Sequence, residues 1–79
     1  SKQFIMLETL LEPGSDTGER SIIDSVEQGG YVLEGELTLW INEEQLHLSP
    51  GDAFQITSGV SCRYANRSNS NTKVLWVYS

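Results

Sequence analysis

Cys62 is the only cysteine and His47 the only histidine in this chain of 79 residues. Any chemistry that needs a thiol or an imidazole must use those positions. A nucleophilic thiol needs a base beside it to draw off its proton. His47 stands between Leu46 and Leu48, so on a strand that buries its leucines the imidazole faces water, and no base is expected near Cys62. Catalysis by the thiol is therefore not expected. Binding is the better prospect. Side chains alternate along a strand, which puts Gln28 and Val32 on one face, Ile22 and Asp24 on another, and Cys62 and Tyr64 on a third. If these even-numbered faces meet, they enclose Ile22, Asp24, Gln28, Val32, Cys62 and Tyr64. Such a pocket has a carboxylate and no fixed cation, because Arg63 points away by parity and Arg20 precedes its strand. That suits a neutral or amine-bearing small molecule and leaves a phosphate or carboxylic acid without a partner once desolvated. Tyr64 or Trp76 could add cation–π attraction for an amine.

The elements that must position these residues are strands. From Gly29 to Asp52 the apolar residues Val32, Leu33, Leu37, Leu39, Ile41, Leu46 and Leu48 recur in short alternating runs. Gly35, Asn42-Glu43-Glu44 and Pro50-Gly51-Asp52 interrupt them, which reads as consecutive antiparallel strands. Further strands are expected over 4–11, 21–24, 53–56, 61–66 and 73–78, with loops at 12–19 and 67–72. The Gly29-Gly30 pair suggests a bend or a close backbone approach. The expectation is an all-β sandwich or barrel of about eight antiparallel strands, forming a single domain over 1–79.

Eleven acidic residues against five basic ones give a net charge of −6. That argues against nucleic-acid binding by this domain, for which a basic patch is expected. A lone cysteine excludes an internal disulfide and favours a cytoplasmic location. No apolar run is long enough for a membrane span, and no signal peptide is read ahead of the first strand. Asn66-Arg67-Ser68 fits a glycosylation sequon and is read as a chance match. Trp40 and Trp76 are expected in the core or an interface, Glu27 at a solvated edge. The apolar runs at 4–11 and 73–78 exceed what a small barrel covers easily, so a homodimer is expected.

With these residues in view, the chain resembles the cupins, small jelly-roll barrels with two metal-binding motifs. The first would place its histidines at Ile22 and Asp24 and its glutamate at Gln28, ending at Gly35. The second would start at Gly51, match Gly59 and Asn66, and put its histidine at Cys62. PGSDTGERS, YVLEGELTLWI, LSPGDAFQI and the closing VLWV are similar to the C-terminal cupin domain of bacterial helix-turn-helix transcriptional regulators. That branch includes regulators of polyamine utilisation. The resemblance implies a DNA-binding domain upstream of Ser1 and a small-molecule-sensing role here. The histidines it leads one to expect are replaced: Asp24 and Cys62 could offer oxygen and sulfur to a metal, Gln28 is a poor ligand and Ile22 is none. No metal or other cofactor is expected, and no enzyme activity. A structural or dimerisation module is the alternative, with a metal-dependent enzyme behind it.

Overall fold

The computed structural model describes residues 5–17, 21–23, 27–57 and 59–78, with 21–23 described by backbone alone. Eight strands are present among them: β1 (Ile5–Leu11), β2 (Ser21–Ile23), β3 (Gln28–Glu34), β4 (Leu37–Ile41), β5 (Glu44–Leu48), β6 (Ala53–Ile56), β7 (Val60–Ala65) and β8 (Thr72–Tyr78). They form two four-stranded sheets, in the orders β1-β8-β3-β6 and β2-β7-β4-β5. Every pairing is antiparallel. This is the all-β sandwich the alternating pattern predicts. The strand at 21–24 is described as far as Ile23, and position 24 lies outside the described residues.

Register sets which side chains turn inward. In the first sheet Gly30 is level with Phe54 and Trp76, Val32 with Val74, and Gln28 with Ile56 and Tyr78. In the second, Leu39 is level with Leu46 and Tyr64, and Ile41 with Cys62. These rows face each other across a core of Val32, Leu37, Leu39, Ile56, Cys62, Val74 and Trp76, with Ile41, Leu46, Leu48, Phe54, Tyr64 and Tyr78 packed against it. Burying this apolar surface is the main favourable contribution to the fold.

The turns follow from residue types. Gly35 has φ +79°, and a Cβ there would lie 2.3 Å from the Asn71 carbonyl oxygen. Only glycine fits this β3–β4 turn. Thr72 locks the turn to β8: its hydroxyl donates to the Glu36 carbonyl at 2.6 Å and accepts from the Glu36 N–H at 3.0 Å. Asn42 makes the β4–β5 turn with φ 55°. The glycine usual after it is not needed, because Asn42 is tied to β7 through the Ser61 backbone, side-chain Oδ1 accepting from Ser61 N–H at 3.1 Å. Asp52 closes its own turn by accepting from the Ser49 N–H at 2.8 Å. The Gly29-Gly30 pair does not bend the chain: β3 runs through it. The close approach at Gly30 is by a side chain and not by backbone: a Cβ there would run into the Phe54 ring.

β1 is an edge strand of the first sheet and is unusually bare. Ile5, Met6, Leu7 and Leu10 are each more than half exposed.

Candidate functional site

Absence of a side chain at Gly30 builds one end of the sandwich interior. Phe54 lies across that gap with its ring edge-on to Trp76, centroids 5.3 Å apart. Tyr64, from the opposite sheet, tilts against the other side of Trp76 at 5.0 Å. Such offset and edge contacts are the favoured aromatic geometries. Tyr78 and Cys62 lie beside Tyr64. Burial pushes the Tyr64 phenol above its ordinary value, and the neighbouring Tyr78 and Cys62 add to the cost of a negative charge there. Burial also raises the Tyr78 phenol and the Cys62 thiol. The result is an aromatic, neutral end with two phenols, a protonated thiol and the half-buried Gln28.

The residues singled out from sequence separate into groups. Val32, Cys62 and Tyr64 do come together, but Val32 is fully enclosed in the core and Tyr64 is only partly buried. Gln28 belongs to the same sheet face as Tyr78. For Ile22 the register differs from the parity expectation: β2 pairs directly with β7, where Ser21 is opposite Cys62 and Ile22 opposite Ser61. A pairing between adjacent strands fixes register, which parity within each strand alone does not. Asp24 lies outside the described residues. Glu27 is exposed. Phe54 and Tyr78 are additions that sequence reasoning missed. The signal was present in the even positions Val74, Trp76 and Tyr78 of β8 and in a glycine facing an aromatic residue.

Among the described residues the donor set does not fit a metal site. A thiol whose ionisation is opposed by burial is a reluctant thiolate ligand, Gln28 is neutral, and isoleucine offers nothing at position 22. No chemistry is routed through a metal here. As a nucleophile Cys62 fares no better: His47 is on the far side of its sheet, level with Thr38 and 63% exposed.

The Asn66-Arg67-Ser68 sequon is structural. Asn66 is wholly buried; its amide donates to the Leu11 carbonyl at 2.9 Å and the Ser70 carbonyl at 2.8 Å, and its oxygen accepts from Ser68. An amide so enclosed is not an accessible glycan acceptor.

The outer face of the second sheet holds a separate polar cluster. Trp40 is 7% exposed, covered by Arg63 and Arg67, whose guanidinium carbons lie 4.5 and 4.7 Å from its ring centroid. Arg63 points away from Cys62 as parity predicts, yet it is not a free surface charge. It forks onto Asp16, Nε to Oδ1 at 3.0 Å and Nη2 to Oδ2.

Comparison with known proteins agrees with this architecture. The chain is 33% identical over 75 residues to the HTH-type transcriptional regulator PuuR of Escherichia coli K12, a match covering 95% of this chain and 40% of that protein. It thus spans about two fifths of that relative's length. Among solved structures, a predicted oxalate decarboxylase from Thermotoga maritima superposes with TM-score 0.86 at 26% identity, over 94% of this chain and 64% of that one. A sugar phosphate isomerase from a cupin superfamily of Silicibacter pomeroyi does so with TM-score 0.88 at 25% identity, over 99% and 51%. Residues 7–78 match the cupin domain model Cupin_2, and with two facing four-stranded antiparallel sheets behind that match, the chain belongs to the cupin domain family.

Proposed function

We propose that this domain is the effector-sensing part of a bacterial transcriptional regulator. The observation that carries the reading is the 33% identity to an HTH-type regulator, sustained over 95% of the chain. A helix-turn-helix domain upstream of Ser1 would bind DNA, and this acidic domain would not. The cupin domain would work in the cytoplasm without a metal, as a homodimer joined through the bare apolar strand β1 and its sheet. Its ligand would enter the aromatic end of the interior, near Phe54, Tyr64, Trp76 and Tyr78, with Gln28, Cys62 and Asp24 as the polar contacts and Val32 packed behind them; Ile22, level with Ser61 and not with Cys62, leaves the pocket expected from sequence. Faces of aromatic rings without a fixed cation suit an amine-bearing or neutral metabolite. Binding would act by favouring one packing state over another, which moves the paired DNA-binding domains.

The test is a thermal-shift screen of amines, sugars, amino acids and organic acids on the chain. The reading expects amines or neutral compounds to raise Tm, with the gain lost in Tyr64→Ala. Stabilisation by anionic metabolites alone would overturn the electrostatic part. A second reading, a metal-dependent cupin enzyme, has in its favour the similar structures described as a predicted oxalate decarboxylase and a sugar phosphate isomerase. Stoichiometric metal in the purified protein, lost in Cys62→Ser, would select it.

A further inference from the structure

The outer face of the second sheet carries a cleft of about 250 Å³, lined by Glu36, Thr38, Gln45, His47, Arg67 and Ser68. The sheet itself separates it from the interior: Thr38 lines the cleft, while Leu39, next along β4, lies in the core. Its volume is below the ~300 Å³ at which drug-sized pockets begin, so a small metabolite is the fitting size. We propose that this cleft is a second binding site, for a small carboxylate that also carries a hydroxyl or amino group. The proposal does not depend on the sensing reading.

Donors dominate one part of the cleft. Arg67 is held over Trp40, and among the described residues no carboxylate takes up its fork of N–H groups. A guanidinium already oriented by stacking is well prepared for planar, two-pronged recognition of a carboxylate. Gln45 accepts from the Trp40 indole N–H at 3.1 Å through its Oε1, which turns its amide oxygen away and leaves its NH₂ as donor. Thr38 is only 5% exposed and lines the cleft. Its hydroxyl is not a buried orphan, since no buried side-chain nitrogen or oxygen among the described residues lacks a partner. A hydroxyl on the cleft wall can donate to a ligand or accept from it.

The other part of the cleft accepts. Glu36 Oε2 takes hydrogen bonds from His47 Nε2 at 2.8 Å and from Ser49 Oγ at 3.1 Å. A carboxylate accepts, so the imidazole donates through Nε2 and leaves Nδ1 as its free nitrogen. Glu36 Oε1 can then receive a ligand hydroxyl or ammonium. Ser68 is occupied internally, its hydroxyl on Asn66 Oδ1 at 2.6 Å, and serves as wall. A carboxylate alone would meet Glu36 unfavourably; one with a second donor group satisfies both parts.

The two tryptophans of the chain separate this site from the interior. The Trp40 indole N–H is bonded to the cleft residue Gln45, whereas Trp76 lies among the core aromatics. Amide-correlation NMR of the chain should therefore show L-malate and L-serine moving the Trp40 indole signal with saturation, and 1,4-diaminobutane leaving it in place. Arg67→Gln should weaken the response about tenfold, as expected for loss of a charged hydrogen bond. Thr38→Val, which keeps shape and removes only the hydroxyl, should weaken it less. Arg67 is exposed but also covers Trp40, so the ligand-free Tm and Trp40 indole signal of Arg67→Gln are read beside those of the parent chain, and the loss of binding is the weaker saturation found with the fold intact. Movement of Trp76 instead of Trp40, an unchanged response in Arg67→Gln, or a response to inorganic phosphate with none to malate or serine would each overturn the proposal.

Discussion

Leu39 and Trp40 are consecutive on β4 and nearly equally hidden, at 0% and 7% exposure, but different materials cover them. Leu39 points between the sheets and is enclosed by hydrocarbon from both. Trp40 points outward and is roofed by two guanidinium groups delivered by β7 and the loop after it. The inner cover is dense, dry and indifferent to salt. The outer cover consists of long side chains that lay their stems and planar heads over a ring while keeping contact with water. Burial therefore has two meanings in one strand, and each face should respond to a different perturbation.

Truncation on the inner face should have the largest effect. Leu39→Ala removes a fully enclosed side chain from a core shared by both sheets, and should cost about 2–5 kcal/mol through lost transfer energy plus the cavity left behind. In so small a domain that is a large part of the total stability. Urea unfolding followed by tryptophan fluorescence measures it. A cost under about 1 kcal/mol would mean that the interior can collapse around the gap, and the contrast with the outer face would fail.

High pH should also strike the inner face first. Folding opposes ionisation of Cys62, Tyr64 and Tyr78 by burying them. Below their ordinary values the groups are neutral in folded and unfolded chains alike, and stability does not change on their account. Above about pH 9 the unfolded chain releases the thiol proton first, so stability falls as pH rises, and the phenols extend the decline. It levels off only when the folded groups ionise too. Unfolding midpoints between pH 7 and pH 10.5 should show this fall, and Cys62→Ala should delay its onset. An unchanged onset would assign the decline to other groups.

These two faces were not equally legible in the sequence. Strand positions and the inner face could be read because period two and turn residues are local properties: Val32, Leu39 and Cys62 turn inward as their spacing implies. Pairing between strands was less accessible. Ile22 falls opposite Ser61 because β2 and β7 are neighbours, and no pattern within either strand states that. Of the outer cluster only the outward direction of Arg63 and His47 was read, and none of its contacts. Arg67 returns to Trp40 through a loop shaped by buried Asn66, and the Glu36–His47 pair joins positions 11 apart. Stacked cations have no sequence period. In isolation Arg63 and Arg67 look like any solvated arginines of an acidic domain.

The smallest predicted effect separates the two parts of the outer cover. Asp16→Asn removes the ionic partner of Arg63 while keeping shape and leaving the arginine over Trp40. Both side chains of that pair are about one third exposed, so water and salt screen the attraction. The expected loss is small, well below that of Leu39→Ala, and should shrink further as salt is raised. Arg63→Ala removes the same pair and also uncovers one side of the indole, exposing apolar ring surface that Asp16→Asn leaves protected. It should therefore cost clearly more than Asp16→Asn, and the excess should survive high salt because it comes from packing. A red-shifted Trp40 emission, read in a Trp76→Phe background, should accompany Arg63→Ala and not Asp16→Asn. Equal losses in the two variants, both vanishing with salt, would show that the guanidinium contributes charge alone; Trp40 would then owe its burial to the fold around it and not to the arginines laid over it.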